Sequence, residues 1–203
     1  MSILLLGGSP STPSSSSRLL HHIGERLAAQ GYRYTRLQVR DLLAKALLHA
    51  ERADAGIARA LEAVALADAI VIATPVYKAS YTGILKAFLD LLPQDGLAGK
   101  VVLPVATGGS QSHMLALDYA LRPVLHALAA KQVLGGIFAT SQQLQWHEDS
   151  GLTMAVPIAA RVAAGVQELQ EALSPSPRRQ TAAPPLPTRS LQDHPYAPVI
   201  QAA

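Results

Sequence analysis

The chain contains no cysteine, which excludes disulfide bonds, thiolate metal sites and cysteine nucleophiles. Only 4% of its residues are aromatic, whereas 49% are hydrophobic, so a core has to be built mainly from Leu, Val, Ile and Ala. No run of about eighteen apolar residues occurs, and we therefore expect no membrane-spanning helix. The N-terminus enters an apolar stretch without a basic region ahead of it, which predicts no signal peptide. A cytoplasmic location is the expectation.

A strong excess of one charge is also missing. Three of the arginines that produce the net charge of +3 are Arg178, Arg179 and Arg189, near the C-terminus, and only Asp193 opposes them there. The rest of the chain is close to neutral, and it shows no stripe of basic and aromatic residues, so we expect no nucleic-acid binding. The seven histidines have no metal-ligand spacing, and no metal site is predicted.

Short apolar runs alternate with amphipathic segments through residues 1–173. The predicted strands are 3–6, 32–37, 69–73, 101–106 and 133–139, and the predicted helices are 16–29, 57–67, 83–92, 112–130 and 154–173. Segment 40–56 fits no single element. Alternating strands and helices imply right-handed crossovers and a parallel sheet. We therefore predict an α/β fold, a flavodoxin-like doubly wound five-stranded parallel sheet of order 2-1-3-4-5. Pro104 predicts a local irregularity in the fourth strand.

The composition changes at residue 174. Segment 174–203 is rich in Pro, Ser, Gln and Arg and cannot bury enough apolar surface to offset the entropy of ordering it. We predict one domain over residues 1–173, followed by a mostly disordered Pro-rich tail over 174–203.

Three polar loops follow predicted strands, and they cover residues 7–17, 74–83 and 107–110. In an open parallel sheet, the ligand binds beyond the carboxyl ends of the strands. Three such loops together suggest a flat, phosphorylated cofactor, and flavin mononucleotide (FMN) is the best candidate.

The first loop has six serines and a threonine within nine residues. Hydroxyls and backbone N–H groups at a helix N-terminus bind phosphate well, and we assign Ser9, Ser11, Ser14 and Ser16 to that role. The glycine fingerprints of dinucleotide-binding and nucleotide-phosphate loops are absent. An ordinary Ser-rich turn with a serine N-cap is the alternative.

The other two loops are suited to a flavin ring. Pro75, Val76, Tyr77 and Lys78 could contact the ring, while Thr107, Gly108 and Gly109 allow the backbone to approach its other edge. The alternative is that Tyr77 merely packs at an interface. His113 lies just beyond the third loop and is included among the predicted cofactor-binding residues; the alternative is a surface or capping residue, which a lone histidine there more often is. No catalytic side chain is predicted, because hydride transfer between nicotinamide and flavin needs no protein base.

Pro123 falls inside the predicted helix 112–130 and cannot donate to the carbonyl of Tyr119. We expect either a plain proline kink or a π-bulge around Asp118 and Tyr119.

These motifs together resemble one family, the NADPH-dependent FMN reductases of bacterial sulfonate utilisation, over residues 2–173. The segments that carry the resemblance are Gly8–Pro10, Ala73–Lys78 with Tyr81 and Gly83, Gly99–Pro104, Thr107–Gly109 and Asp118–Pro123.

The resemblance implies a flavodoxin-like fold and reduction of FMN by NADPH. It implies transfer of the reduced flavin to a flavin-dependent monooxygenase that desulfonates organosulfonates, and a homo-oligomer, dimer or tetramer. It further implies that Tyr119 is inserted to form a π-helix at a subunit interface beside the flavin site.

The chain departs from the family in the first loop, where members usually carry an arginine and this chain has Ser11 and Ser15. Arg18 is the nearest cation in sequence and is included among the predicted cofactor-binding residues. Two other functions remain open: an FMN-retaining quinone or azo reductase, and a flavodoxin-like electron-transfer module without nicotinamide chemistry.

Overall fold

The computed structural model describes residues 1–149 and 151–174, so most of the predicted tail lies outside the described residues. The strands are β1 (Ser2–Gly7), β2 (Arg33–Gln38), β3 (Ala69–Pro75), β4 (Val101–Gly108), β5 (Gln132–Val133), β6 (Ile137–Thr140), β7 (Leu144–His147) and β8 (Gly151–Met154). The α-helices are α1 (Ser15–Ala29), α2 (Ala44–Leu48), α3 (Ala55–Leu66), α4 (Gly83–Leu89), α5 (Arg122–Ala127) and α6 (Val156–Leu173).

The main sheet confirms the predicted topology. Its order is β2-β1-β3-β4-β5, all neighbours are parallel, and β6 continues beside β4. The apolar runs of β1, β3 and β4 are buried on both faces, as expected for a covered parallel sheet. Helices α1 and α6 cover one face, and α3, α4 and α5 cover the other. Within the described ranges, no helix has the length and apolar character needed to cross a membrane.

The predicted strand 133–139 is interrupted, whereas β4 is continuous through Pro104. The N–H of Leu134 donates to the carbonyl of Val102 over 2.9 Å. In a regular parallel ladder, the N–H of residue 104 would then donate to the Leu134 carbonyl, but Pro104 has no N–H. The Arg122 guanidinium instead donates to the Leu134 carbonyl over 3.1 Å. The irregularity predicted for the fourth strand therefore lies in its neighbour, at residues 134–136.

The predicted continuous helix 112–130 is wrong. The chain forms a 3₁₀ turn at Gln111–His113, a π-helix at Leu117–Leu121, and then α5. The N–H of Arg122 donates to the Leu117 carbonyl five residues earlier, and Pro123 lies in the first turn of α5. The π-type alternative is confirmed, and the plain kink is not.

The remaining differences are one missed hairpin, one helix boundary and the segment that fitted no single element. The antiparallel hairpin β7–β8 was not predicted, and Met154 pairs with Leu144 in it instead of starting the last helix. Helix α4 ends at Leu89, three residues before the predicted end. The unassigned segment contains a 3₁₀ turn at Val39–Asp41 and the short α2.

Candidate functional site

The three predicted loops meet at the carboxyl edge of β1, β3 and β4 and enclose a polar cleft of about 240 Å³. The cleft brings together nine of the predicted residues: Ser9, Ser11, Ser14, Pro75, Val76, Tyr77, Thr107, Gly108 and Gly109. Three lining residues were not predicted, namely Pro13, Ser15 and Ser141.

The first loop places its hydroxyls around the N-terminus of α1. Ser14 is the N-cap, and its Oγ accepts from the N–H of Ser17 over 3.4 Å. Ser9 Oγ accepts from the N–H of Ser11 over 3.2 Å. Ser16 is buried and does not line the cleft, but its Oγ lies 2.9 Å from that of Ser14. It can therefore orient the Ser14 hydroxyl. A helix N-terminus with clustered hydroxyls fits a phosphate group.

Arg40 is the cation that contacts this loop, and it was not predicted. It follows β2, and its Nη1 donates to the carbonyls of Ser9 and Ser11 over 3.5 and 3.1 Å and to Ser17 Oγ over 3.3 Å. Because both carbonyls accept from Arg40, the guanidinium holds the loop from behind and places a positive charge next to it. Nothing in the local sequence indicates this contact, which joins residues about thirty positions apart.

Arg18, predicted as the nearest cation, does not line the cleft. Its guanidinium carbon lies 4.3 Å from the ring centroid of Trp146, and the side chain lines a different pocket behind the first loop.

The second loop is fixed to the third by its backbone. The N–H of Val76 donates to the carbonyl of Thr107 over 2.7 Å. Tyr77 and Ser80 exchange N–H···O bonds of 2.9 and 3.1 Å, and Lys78 and Ala79 between them have φ of 49° and 62°. This tight turn leaves Tyr77 in the cleft lining and places Lys78 on the exposed surface outside it.

Thr82 joins the second loop to the first. Its buried hydroxyl donates to the carbonyl of Gly8 and accepts from the N–H of Leu85, so that it also caps α4. The N–H of Thr82 donates to Thr74 Oγ1 over 3.2 Å. On the same loop, burial raises the pKa of the Tyr81 phenol.

The third loop is closely packed on one side and open on the other. A Cβ added to Gly108 would lie 3.0 Å from the ring of Phe138, whereas one added to Gly109 would meet nothing within 4 Å. The backbone at Gly109 is therefore accessible to a ligand. His113 packs behind Gly108 and does not line the cleft. Its buried Nδ1 has no hydrogen-bond partner within the described part of the chain.

The donor set of the cleft fits FMN. Hydroxyls and the N-terminus of α1 lie at one end, where a phosphate can bind. Pro75, Val76 and Tyr77 offer an apolar and aromatic surface at the other end, beside the accessible backbone of Gly109.

The sequence matches a known family over most of its length. The family model described as NADPH-dependent FMN reductase matches residues 1–145. The chain belongs to this family. It is 49% identical over 148 residues to an FMN reductase (NADPH) of Pseudomonas putida, with 73% of this chain and 75% of the relative covered. It is 45% identical over 148 residues to an FMN reductase (NADPH) of Escherichia coli, with 72% and 78% covered.

The fold is also that of a solved NADH:FMN oxidoreductase. The apo form of an NADH:FMN oxidoreductase superposes with a TM-score of 0.79 at 40% identity, with 87% of this chain and 91% of that chain covered. A Streptococcus pneumoniae flavodoxin superposes with a TM-score of 0.57 at 14% identity, covering 85% and 99%. The second similarity shows the fold alone.

Proposed function

We propose that this FMN reductase binds FMN in the cleft between the three loops and releases the reduced flavin to a separate flavin-dependent monooxygenase. Family membership confirms the enzyme class, an NADPH-dependent FMN reductase, and its two cofactors, FMN and NADPH. One observation supports this location of the FMN site: the serine-rich N-terminus of α1 meets two further loops at one edge of the sheet.

In this arrangement the residues bind and orient, and none acts as an acid or base. Ser9, Ser11 and Ser14 donate to the phosphate, and Arg40 neutralises part of its charge through the loop. Tyr77 and Gly109 limit where the ring lies. When bound, the flavin accepts a hydride from the reduced nicotinamide, and this chemistry belongs to the cofactors.

The proposed partner desulfonates organosulfonates, and the support for it is the sequence resemblance described above. The open cleft agrees with a flavin that leaves as product, since Gly109 and the half-exposed Tyr77 leave the ring end accessible. The cytoplasmic location remains a prediction.

We also propose that the chain assembles as a homo-oligomer through the segment that contains the π-helix. Met114, Leu115 and Tyr119 are 38%, 53% and 79% exposed. Three large apolar side chains exposed within six residues are typical of an interface, and this segment directly follows the third loop.

The experiment that tests the function compares NADPH oxidation by the purified protein with and without added FMN. A pale protein that oxidises NADPH rapidly only when FMN is added supports the proposal. A yellow protein that turns over quinones or azo dyes would favour the flavin-retaining reductase. No oxidation of NADPH or NADH under any condition would favour the electron-transfer module.

A further inference from the structure

A second pocket, of about 380 Å³, lies behind the first loop. It is bounded by the N-terminal half of α1, the end of β2 and Trp146 of β7. Pro13 and Ser14 line both this pocket and the FMN cleft, so that only the first loop separates the two spaces. Three arginines line this space, the arginine pocket.

The lining of the arginine pocket is positively charged around an apolar floor. Arg18, Arg36 and Arg40 line it together with a histidine, and none of the lining residues is a carboxylate. Leu5 and Leu20 form part of the floor. Such a pocket fits a ligand with an apolar ring and a strongly negative group, and it does not fit a cation or a purely apolar molecule.

Arg18 has no anionic partner in the described part of the chain. It follows the first turn of α1, which contains no acidic residue. Its guanidinium has no hydrogen bond or ion pair with any described residue and packs on the Trp146 ring. Its donors are therefore free for a ligand.

Arg36 and Arg40 also keep free donors. Arg36 uses only Nη2, which donates to Tyr34 Oη over 2.9 Å and to Glu25 over 3.4 Å. Arg40 uses Nη1 for the first loop, and its Nε lies 3.7 Å from Asp41. Neither guanidinium is fully occupied among the described residues.

We propose that the arginine pocket binds the adenosine 2′-phosphate end of NADPH, and this inference rests on the proposed function. The apolar floor and the indole would take the adenine, and Arg18 and Arg36 would bind the phosphate dianion. Because Pro13 and Ser14 border both spaces, a coenzyme bound in this pocket has to cross only the first loop to bring its nicotinamide to the flavin. NADH carries a hydroxyl in place of that phosphate, so the pocket favours NADPH.

The test uses arginine-to-glutamine variants in matched pairs. Arg36→Gln and Arg18→Gln remove a pocket arginine, while Arg33→Gln and Arg26→Gln remove an exposed arginine from the same strand and the same helix outside the pocket. We measure kcat/KM for NADPH and for NADH at saturating FMN. A lost hydrogen bond to a charged group corresponds to about tenfold or more in affinity. The NADPH-to-NADH ratio should fall by at least about tenfold in each pocket variant and stay unchanged in each control.

A binding measurement makes the inference independent of turnover. Adenosine 2′,5′-bisphosphate is titrated calorimetrically into the wild type and the four variants, with adenosine 5′-monophosphate as the comparison probe. Tighter binding of the bisphosphate, lost in Arg18→Gln and Arg36→Gln and kept in the controls, supports the inference. Equal binding of the two probes, or an unchanged coenzyme ratio, would overturn it, as would displacement of the bisphosphate by FMN. Absence of any FMN-dependent oxidation in the wild type would instead count against the proposed function.

Discussion

The hydroxyl of Thr82 donates to the carbonyl of Gly8, which joins the loop after β3 to the loop after β1. Both residues are buried at the carboxyl edge of the sheet. A Cβ on Gly8 would lie 2.8 Å from Leu85 Cβ in α4, so the two loops also pack closely. The spacing of the phosphate end and the ring end of the cleft therefore depends on this contact.

Replacing Thr82 by valine keeps the shape of the side chain and removes this hydrogen bond and the cap of α4. A buried carbonyl without a donor costs about 1–3 kcal/mol, and loss of the cap adds about 1 kcal/mol. We expect a lower free energy of unfolding in urea and weaker FMN binding. Thr82→Ser retains the hydroxyl and is the control; equal behaviour of the two variants would show that the hydroxyl is unimportant.

The serines of the first loop should control FMN affinity. Ser9→Ala removes a hydroxyl of the cleft lining, and Ser16→Ala removes the group that orients Ser14. Each should weaken FMN binding by about ten- to hundredfold, because a hydrogen bond to a charged group contributes roughly 1.5–3 kcal/mol. Fluorescence titration with FMN measures the effect. Unchanged titrations for both variants would refute the location of the phosphate.

Arg40 should act on the phosphate and not on the ring. Arg40→Gln removes the charge behind the loop and should lower the affinity for FMN by about tenfold. Binding of riboflavin, which has no phosphate, should change much less, and Arg40→Lys should restore part of the FMN affinity. An equal loss for FMN and riboflavin would indicate that Arg40 only maintains the loop structure.

The fold and the cleft could be predicted because their signals are local. The buried strands β1, β3 and β4 are continuous apolar runs, and the polar loops that follow them have to meet at one edge of a parallel sheet. What could not be predicted depends on contacts between distant segments. The gap at residues 134–136 lies opposite Pro104 on another strand, and Arg40 reaches the first loop from the end of β2.

The hairpin β7–β8 gave no sequence signal for a similar reason. Its strands have four residues each, and the apolar–polar alternation of Leu144–His147 is too short to distinguish a strand from a loop. Gln145, Trp146 and His147 are all exposed, so the strand contributes only Leu144 to the core. Ser141, which precedes the hairpin, lines the cleft although it lies in none of the three loops recognised in the sequence.

Deleting Tyr119 should remove the π-helix. The deletion returns the residues after position 119 to the regular α-helical phase. The N–H of Arg122 would then donate to the Leu117 carbonyl at the spacing of an α-helix instead of a π-helix. Because the exposed apolar segment around Tyr119 is the proposed subunit contact, we expect weaker assembly in analytical ultracentrifugation and tighter retention of FMN on purification. Tyr119→Ala removes the same side chain but keeps the chain length, so it separates the effect of the side chain from the effect of the inserted residue. An unchanged oligomeric state in the deletion variant would contradict this role.

Truncation after Leu173 tests the predicted domain boundary. The buried Leu173 closes α6 against the core, so the domain should keep its melting temperature and its reductase activity without segment 174–203. Truncation after Gln170 removes Leu173 as well and should lower the melting temperature. A large loss of stability on removing 174–203 alone would show that this segment packs on the domain.

This protein reduces FMN with NADPH. The most direct measurement follows the yellow absorbance of oxidised FMN, under anaerobic conditions, after NADPH is added with a catalytic amount of the protein. We expect the absorbance to be lost over many turnovers, with one NADPH consumed for each FMN reduced, and Ser9→Ala to slow this loss at low FMN. Loss no faster than in a control without the protein would contradict it.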